Sequence, residues 1–163
     1  MVIIDGPDAA GKTTLAKAIA KKNGAQYFHC GYNRKWDMET YHRFILHTAG
    51  KMEAQANVPC IIDRWAMSEA AYGKVFRGRP SYPAQCLMNE ALVAYKPTLI
   101  YCKPSNIADN FSRMKETRDE MYDSVEEVTA EFDKLLASGQ WGTWIMYDYC
   151  VHDEEKFVDA FCK

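Results

Sequence analysis

The sequence predicts an α/β domain in which helices flank a parallel sheet. Two features of the 163-residue chain carry that prediction. Short, continuously apolar runs suit strands buried on both faces, and they alternate with longer segments of helical periodicity. An alternation sustained from one end of the chain to the other fits strands linked by helical crossovers.

Taken in order, Val2-Ile3-Ile4-Asp5 reads as a buried strand, followed by a Gly/Pro turn. A helix is predicted from about Lys12 to Lys22, with Leu15, Ala18, Ile19 and Lys22 at helical spacing and Asn23-Gly24 as its C-terminal stop. Ala25 to Phe28 is a weaker second strand. Met38, Tyr41, Ile45, Thr48 and Met52 then form one stripe of a long helix, Met38–Gln55. Cys60-Ile61-Ile62-Asp63 is the third strand. Two helices follow, about Met67–Phe76 and Pro83–Tyr95, divided by the turn Arg77-Gly78-Arg79-Pro80. Pro97–Cys102 is the fourth strand, with helices after it near Ile107–Thr117 and Ser124–Ala137. Thr143–Cys150 reads as the last strand, anchored by Trp141 and Trp144, and Glu154–Phe161 as the closing helix. No repeat, linker or low-complexity segment divides the chain, so a single domain over residues 1–163 is expected.

Composition narrows the class. At 48% hydrophobic and 26% charged residues, the chain is neither collagen-like nor disordered. Its net charge of −2 excludes a dedicated non-specific nucleic-acid binder. No apolar run reaches the ~20 residues a membrane span needs, and the first residues lack the basic-then-apolar layout of a signal peptide. Six cysteines, Cys30, Cys60, Cys86, Cys102, Cys150 and Cys162, contain no Cys-x-x-Cys pair and mostly sit in apolar stretches. Reduced thiols and a cytoplasmic location are the expectation (the host cytoplasm if the chain is viral). His29, His42, His47 and His152 have no metal-binding spacing and are assigned to packing or surface, with His29 at the end of the second strand the one to watch.

The most informative stretch is Gly6-Pro7-Asp8-Ala9-Ala10-Gly11-Lys12-Thr13-Thr14, which fits G-x-x-x-x-G-K-[ST]. Gly6 and Gly11 let the backbone curl so that successive N–H groups, those of Ala9 and Ala10 among them, point inward at a phosphate. The helix that follows adds its positive end. Lys12 neutralises the β- and γ-oxygens, the Thr13 hydroxyl suits Mg²⁺, and Thr14 is placed for the α-phosphate. Asp63, ending an apolar strand, puts a carboxylate beside this loop where it can hold the metal, and Arg64 adds a phosphate fork. Asp8 is awkward inside a phosphate cradle and calls for a partner such as a sugar hydroxyl or a cation. Arg113, Lys115 and Arg118, among acids in Asn110–Glu120, suit either a flap closing over a transferring phosphoryl group or a solvated helix face.

Gly-x-Asp-x-x-Gly-Lys-Thr-Thr, Asp63-Arg64-Trp65 and Ser68-x-x-Ala71-Tyr72-Gly73 together resemble the thymidylate kinases, most closely their small bacteriophage relatives, the deoxynucleoside monophosphate kinases. The resemblance covers most of the chain in order, with specific motifs in about residues 3–14 and 60–73. It implies a P-loop NTPase fold of nucleoside monophosphate kinase type, with a five-stranded parallel sheet and a short lid at about residues 108–122. It also implies ATP and Mg²⁺ as cofactors and a deoxynucleoside 5′-monophosphate, dTMP first, as acceptor.

By the same resemblance Asp8 faces the acceptor's 3′-hydroxyl, Arg64 grips its monophosphate, and Tyr72 packs near the 2′ position. Arg113 or Arg118 supplies the catalytic lid arginine. Two departures stand out. Gly73 replaces the Gln of many cellular enzymes, and the helix Met38–Gln55 lacks their Leu-Phe-x-Ala-x-Arg pattern, so Tyr41, Arg43, Phe44 and His47 become candidates for base recognition, Phe44 as stacking platform. Family members are often homodimers, and the stripe on this helix suits core or interface. Two alternatives stay open: a deoxynucleoside kinase acting on a nucleoside 5′-hydroxyl, and an ATP-binding regulatory or motor module that transfers nothing to a small acceptor.

Overall fold

The computed structural model describes residues 1–32, 35–117 and 124–160. Five strands, β1 (Val2–Asp5), β2 (Gln26–His29), β3 (Cys60–Asp63), β4 (Thr98–Cys102) and β5 (Trp144–Tyr147), form one sheet in the order β2-β3-β1-β4-β5. Every neighbouring pair is parallel. The helices between them are α1 (Lys12–Asn23), α2 (Met38–Ala56), α3 (Ala66–Arg77), α4 (Tyr82–Ala94), α5 (Ile107–Thr117), α6 (Glu126–Ala137) and α7 (Glu154–Asp159).

The continuous apolar runs follow from two cores. Because successive strand side chains point to opposite faces, Ile3, Cys60, Ile62, Leu99 and Tyr101 pack under α2, α3, α4 and α6. Ile4, Ile61, Ile100 and Cys102 pack under α1 and α7. The stripe on α2 faces the chain's own core, but rotated from the pattern predicted: Met38, His42, Ile45, Leu46, Ala49 and Gly50 are its buried residues, while Tyr41, Thr48 and Met52 lie at its margins. β5 is shorter than predicted. It stops at Tyr147 because the Asp148 carboxylate then accepts from the backbone N–H groups of Cys150 and Ser105, turning the chain. Cys30, Cys60, Cys86, Cys102 and Cys150 are free thiols, and Cys162 lies outside the described residues. Among the described residues no helix is long and apolar enough to cross a membrane.

The sheet brings three loops to one edge. Ile4 pairs with Asp63 and Asp63 with His29, so the ends of β1, β3 and β2 meet where β1 hands over to the loop that starts at Gly6. At the C-terminal edge of such sheets loops and helix N-termini converge on ligands. Gly6 has φ +148°, and a Cβ there would lie 2.3 Å from the Cys102 carbonyl oxygen, so the loop can leave β1 against β4 only with glycine.

Asp5 secures the second loop. Trp65, at the N-cap of α3, offers no side-chain cap, and the buried Asp5 carboxylate takes that role from the neighbouring strand. It accepts from the N–H groups of Trp65 (3.3 Å) and Ser68 (3.2 Å) and from the Ser68 hydroxyl. Asp5→Ala is expected to cost about 1–3 kcal/mol in urea unfolding, the loss of a cap that leaves buried donors unpaired. A midpoint shift worth under ~0.5 kcal/mol would show that the cap is dispensable.

Candidate active site

Lys12 is the first helical residue after Gly11, which adopts φ +78° and lets the loop turn into α1. Its side chain is 3% exposed, and its Nζ donates to the Pro7 carbonyl, folding the ammonium back over the loop. Burial pushes its pKa down to about 8, and the Arg64 guanidinium adds to the drop, while Asp8 and Asp63 oppose it. Asp8, Gly11, Lys12, Thr13, Thr14 and Arg64 line a cavity of about 540 Å³ with Ala9 and Ala10. A buried cation at a helix N-terminus, in a cavity lined by the loop, suits a polyphosphate.

Asp63 is fully buried and concentrates its partners on one oxygen. Oδ2 accepts from the Thr13 hydroxyl (2.6 Å) and the Tyr27 hydroxyl (2.7 Å) and lies 3.0 Å from His29 Nδ1. Burial raises its pKa, but these hydrogen bonds and the charge of Lys12 outweigh it and hold the carboxyl below its ordinary range. Oδ1 has no hydrogen-bond partner among the described residues. A hydroxyl beside an ionised carboxylate with a spare buried oxygen is a donor set that fits Mg²⁺, directly or through water. Tyr27 and His29 were not singled out for this cluster by sequence. Their spacing of two on a strand is the signal, since it puts both on one face toward β3.

Arg64 sits at φ +63°, its N–H bonded to the Ile4 carbonyl at 2.9 Å, which aims its guanidinium at the Asp8 carboxylate. The cation is thus the partner that Asp8 called for. Burial works against both charges. Arg64, Lys12 and the Tyr72 hydroxyl keep Asp8 below the usual carboxylate range, and Asp8 in turn holds Arg64 above its ordinary value. Arg64 also lines a second cavity of about 130 Å³ with Tyr72, Ser68, Glu69, Arg77 and His42. This cavity shares Met38 and Glu69 with another of about 160 Å³. Glu69 and Arg77 pair at 2.7 Å across one helix face, with Gly73 between them. A Cβ on Gly73 would lie 3.2 Å from the Arg77 guanidinium and 3.6 Å from the Glu69 carboxylate, so the missing side chain leaves room for that pair.

Phe44 is 64% exposed and lies outside the lining of both cavities. The α2 residues that do line the second cavity are Met38 and His42, and a position two residues past His42 points about 200° around the helix. Tyr41 is half-buried, its ring centre 4.7 Å from that of Trp36, and it lines neither cavity. His42 is 2% exposed, and burial pushes its pKa down to about 4. A histidine depressed from 6.5 contributes stability above that value and loses it as pH falls toward 4, about 3 kcal/mol in all. His42→Asn is expected to flatten the stability profile between pH 6.5 and 4 by that order. An unchanged slope in acid-titrated urea unfolding would rule out this source.

α5, which covers most of the stretch predicted as a lid, docks on the loop. Asn110 Nδ2 donates to the Ala9 carbonyl at 2.7 Å, and Phe111 packs on Ala9, which itself holds φ +63°. Arg113 lines a further cavity of about 390 Å³ with Asn106 and Tyr149, which shares Gly11, Thr14 and Asn110 with the phosphate-loop cavity. Arg118 and the end of the lid stretch lie outside the described residues.

The same architecture recurs in solved nucleotide-binding proteins. The chain is similar to the YorR protein of Bacillus subtilis, described in complex with phosphorylated GDP, at 15% identity and TM-score 0.67, over 98% of this chain and 92% of that one. It is also similar to deoxyadenosine kinase from M. mycoides with products dCMP and a flexible dCDP bound, at 18% identity and TM-score 0.58, over 98% and 95% of the two chains. A second structure of that kinase, with bound dCTP, aligns at TM-score 0.57 and 18% identity, over 99% and 96%. At these identities the likeness is one of fold. No match is found among curated proteins. The family model for cytidylate kinase matches residues 2–151, nearly the whole chain. The chain therefore belongs to the cytidylate kinase family.

Proposed function

We propose that the chain transfers the γ-phosphoryl group of ATP to a deoxynucleoside 5′-monophosphate, with dTMP the acceptor that the motif resemblance favours. The observation that carries this reading is the position of Arg64. It lines both the phosphate-loop cavity and the neighbouring cavity, so a donor in one and an acceptor in the other would meet at its guanidinium.

In this reading an acceptor phosphate oxygen attacks the γ-phosphorus, the bond to the β-bridging oxygen breaks, and ADP leaves with that electron pair. The acceptor is already an ionised phosphate, so no side chain need remove a proton. Loop N–H groups and Lys12 hold the donor phosphates, Arg64 orients the acceptor, and Asp8 with Tyr72 bounds the space for a deoxyribose. Mg²⁺, held through Thr13 and Asp63, would neutralise charge on the donor phosphates. Arg113 and Tyr149 bound the cavity beyond Thr14, a place for the donor's base, and Arg118 remains the lid candidate for the transferred group. Positioning and charge neutralisation supply the rate, because closure excludes water from the transferring group.

The test is ADP release with dTMP, dCMP, dAMP, dGMP and their ribonucleotide forms. Acceptor-dependent release, strongest with a deoxynucleotide, is expected. Release no faster with any acceptor than with none would sink the proposal, and stimulation by DNA alone would favour a motor or regulatory module.

One observation favours a second reading, phosphorylation of a nucleoside 5′-hydroxyl. His29 lies 3.0 Å from the Asp63 carboxylate and lines the acceptor-side cavity, a proton acceptor of the kind a hydroxyl would need. Thymidine and deoxyguanosine in the same assay separate the two.

A further inference from the structure

We infer that His42 sets the base preference of the acceptor site, its Nδ1 forming a hydrogen bond to the edge of the acceptor's nucleobase. This rests on the reading of the cavity as the acceptor site. Three observations lead to it. His42 lines the cavity, is 2% exposed, and its Nδ1 has no hydrogen-bond partner among the described residues. A buried polar atom without a partner is costly, and a cavity that contains one is completed by a ligand that pairs with it.

Arg64 Nε and Arg77 Nε in the same lining also lack hydrogen-bond partners among the described residues, but both belong to guanidinium groups already held in ion pairs. Arg64 is paired with Asp8, Arg77 with Glu69, and the Ser68 hydroxyl with Asp5. The end of the cavity that also borders the phosphate loop is the Arg64 end, so a monophosphate belongs there. His42 does not border the loop cavity. It comes from α2 and packs among aromatic rings, 5.7 Å from that of Tyr41 and 6.4 Å from that of Trp65. Met38 and Trp65 line the same cavity, and this apolar and aromatic surface beside the imidazole, away from the phosphate end, suits a flat heterocycle. Burial keeps the imidazole neutral at physiological pH, so it serves as a hydrogen-bonding group and not as a further phosphate-binding cation. The side chain is held in place from its own backbone, since the Trp65 indole donates to the His42 carbonyl at 3.1 Å.

Base recognition is thereby separate from stacking. Phe44, the exposed aromatic on the same helix, has no part in it, and the neutral imidazole two residues earlier does. A group that hydrogen-bonds the correct base penalises the others, because they leave it buried and unpaired.

The experiment measures kcat and KM for dTMP, dCMP, dAMP and dGMP with the wild type, His42→Ala and His42→Asn. His42→Ala is expected to raise KM for the preferred monophosphate by roughly tenfold or more, with smaller changes for the others and for ATP. His42→Asn, whose amide can stand in for Nδ1, is expected to recover part of the preference, and it carries the comparison if the alanine variant does not fold. An equal change for all four acceptors, or an unchanged ranking, overturns the inference. If the wild type transfers to none of them, the proposed function fails. Calorimetric binding of the same monophosphates then decides His42 separately: a preference lost in the variants supports the role, and one retained overturns it.

Discussion

Lys12→Ala is expected to lower kcat about a thousandfold or more, because one preorganised charge on the transferring phosphates is removed. Its effect on stability should have the opposite sign. A lysine pushed from 10.5 to about 8 is held in the folded state against its preference for water, a burden of about 3 kcal/mol at pH 7. Lys12→Met, which keeps the apolar stem, is therefore expected to match or exceed the wild type in urea unfolding at pH 7. The wild type should gain stability as pH rises from 8 toward 10.5, where the unfolded chain still binds the proton and the folded one does not, and the variant should lack that slope. Loss of turnover together with lower stability and an unchanged slope would mean that Lys12 is structural.

Arg64→Ala has two consequences that can be separated. It removes the guanidinium between the two cavities, so KM for the monophosphate is expected to rise by at least a hundredfold while KM for ATP changes little. It also leaves Asp8 buried without its cation, at a cost of about 2–3 kcal/mol, less than a fully buried pair because Arg64 keeps 28% of its side-chain surface exposed. Asp8→Asn added to Arg64→Ala should restore most of that stability and none of the acceptor affinity. Since the pair holds Asp8 low, the stability it contributes is present above pH 3.8 and is lost as pH falls below it. If Arg64→Ala left the acceptor kinetics untouched, the acceptor would bind elsewhere.

The two largest effects concern residues that the sequence displays openly, for a physical reason. A phosphate loop is a local device, with glycines, lysine and threonine at fixed offsets, so its chemistry is written in nine consecutive letters. Strands buried on both faces are equally legible, and Val2–Asp5 and Cys60–Asp63 coincide with the predicted runs. What was not legible depends on packing between distant segments. The buried side of α2 includes His42 and Gly50, which hydropathy does not mark as core. Gly50 is buried because the Tyr95 ring packs so closely that a Cβ would lie 2.1 Å from it. Asp5 reads as the end of a strand, yet it caps a helix sixty residues on. Glu69 and Arg77 line the second cavity as a pair because Gly73 lets them meet, a role invisible in a segment that reads as helix followed by polar turn.

The wild-type chain, ATP labelled on the γ-phosphorus and one deoxynucleoside monophosphate at a time test the central claim most directly, with the labelled product identified by chromatography. Label appearing as the β-phosphoryl group of a deoxynucleoside diphosphate, with one ADP formed per transfer and none of it without Lys12, is the result expected. Label found only as inorganic phosphate, with no transfer to any monophosphate, would contradict it.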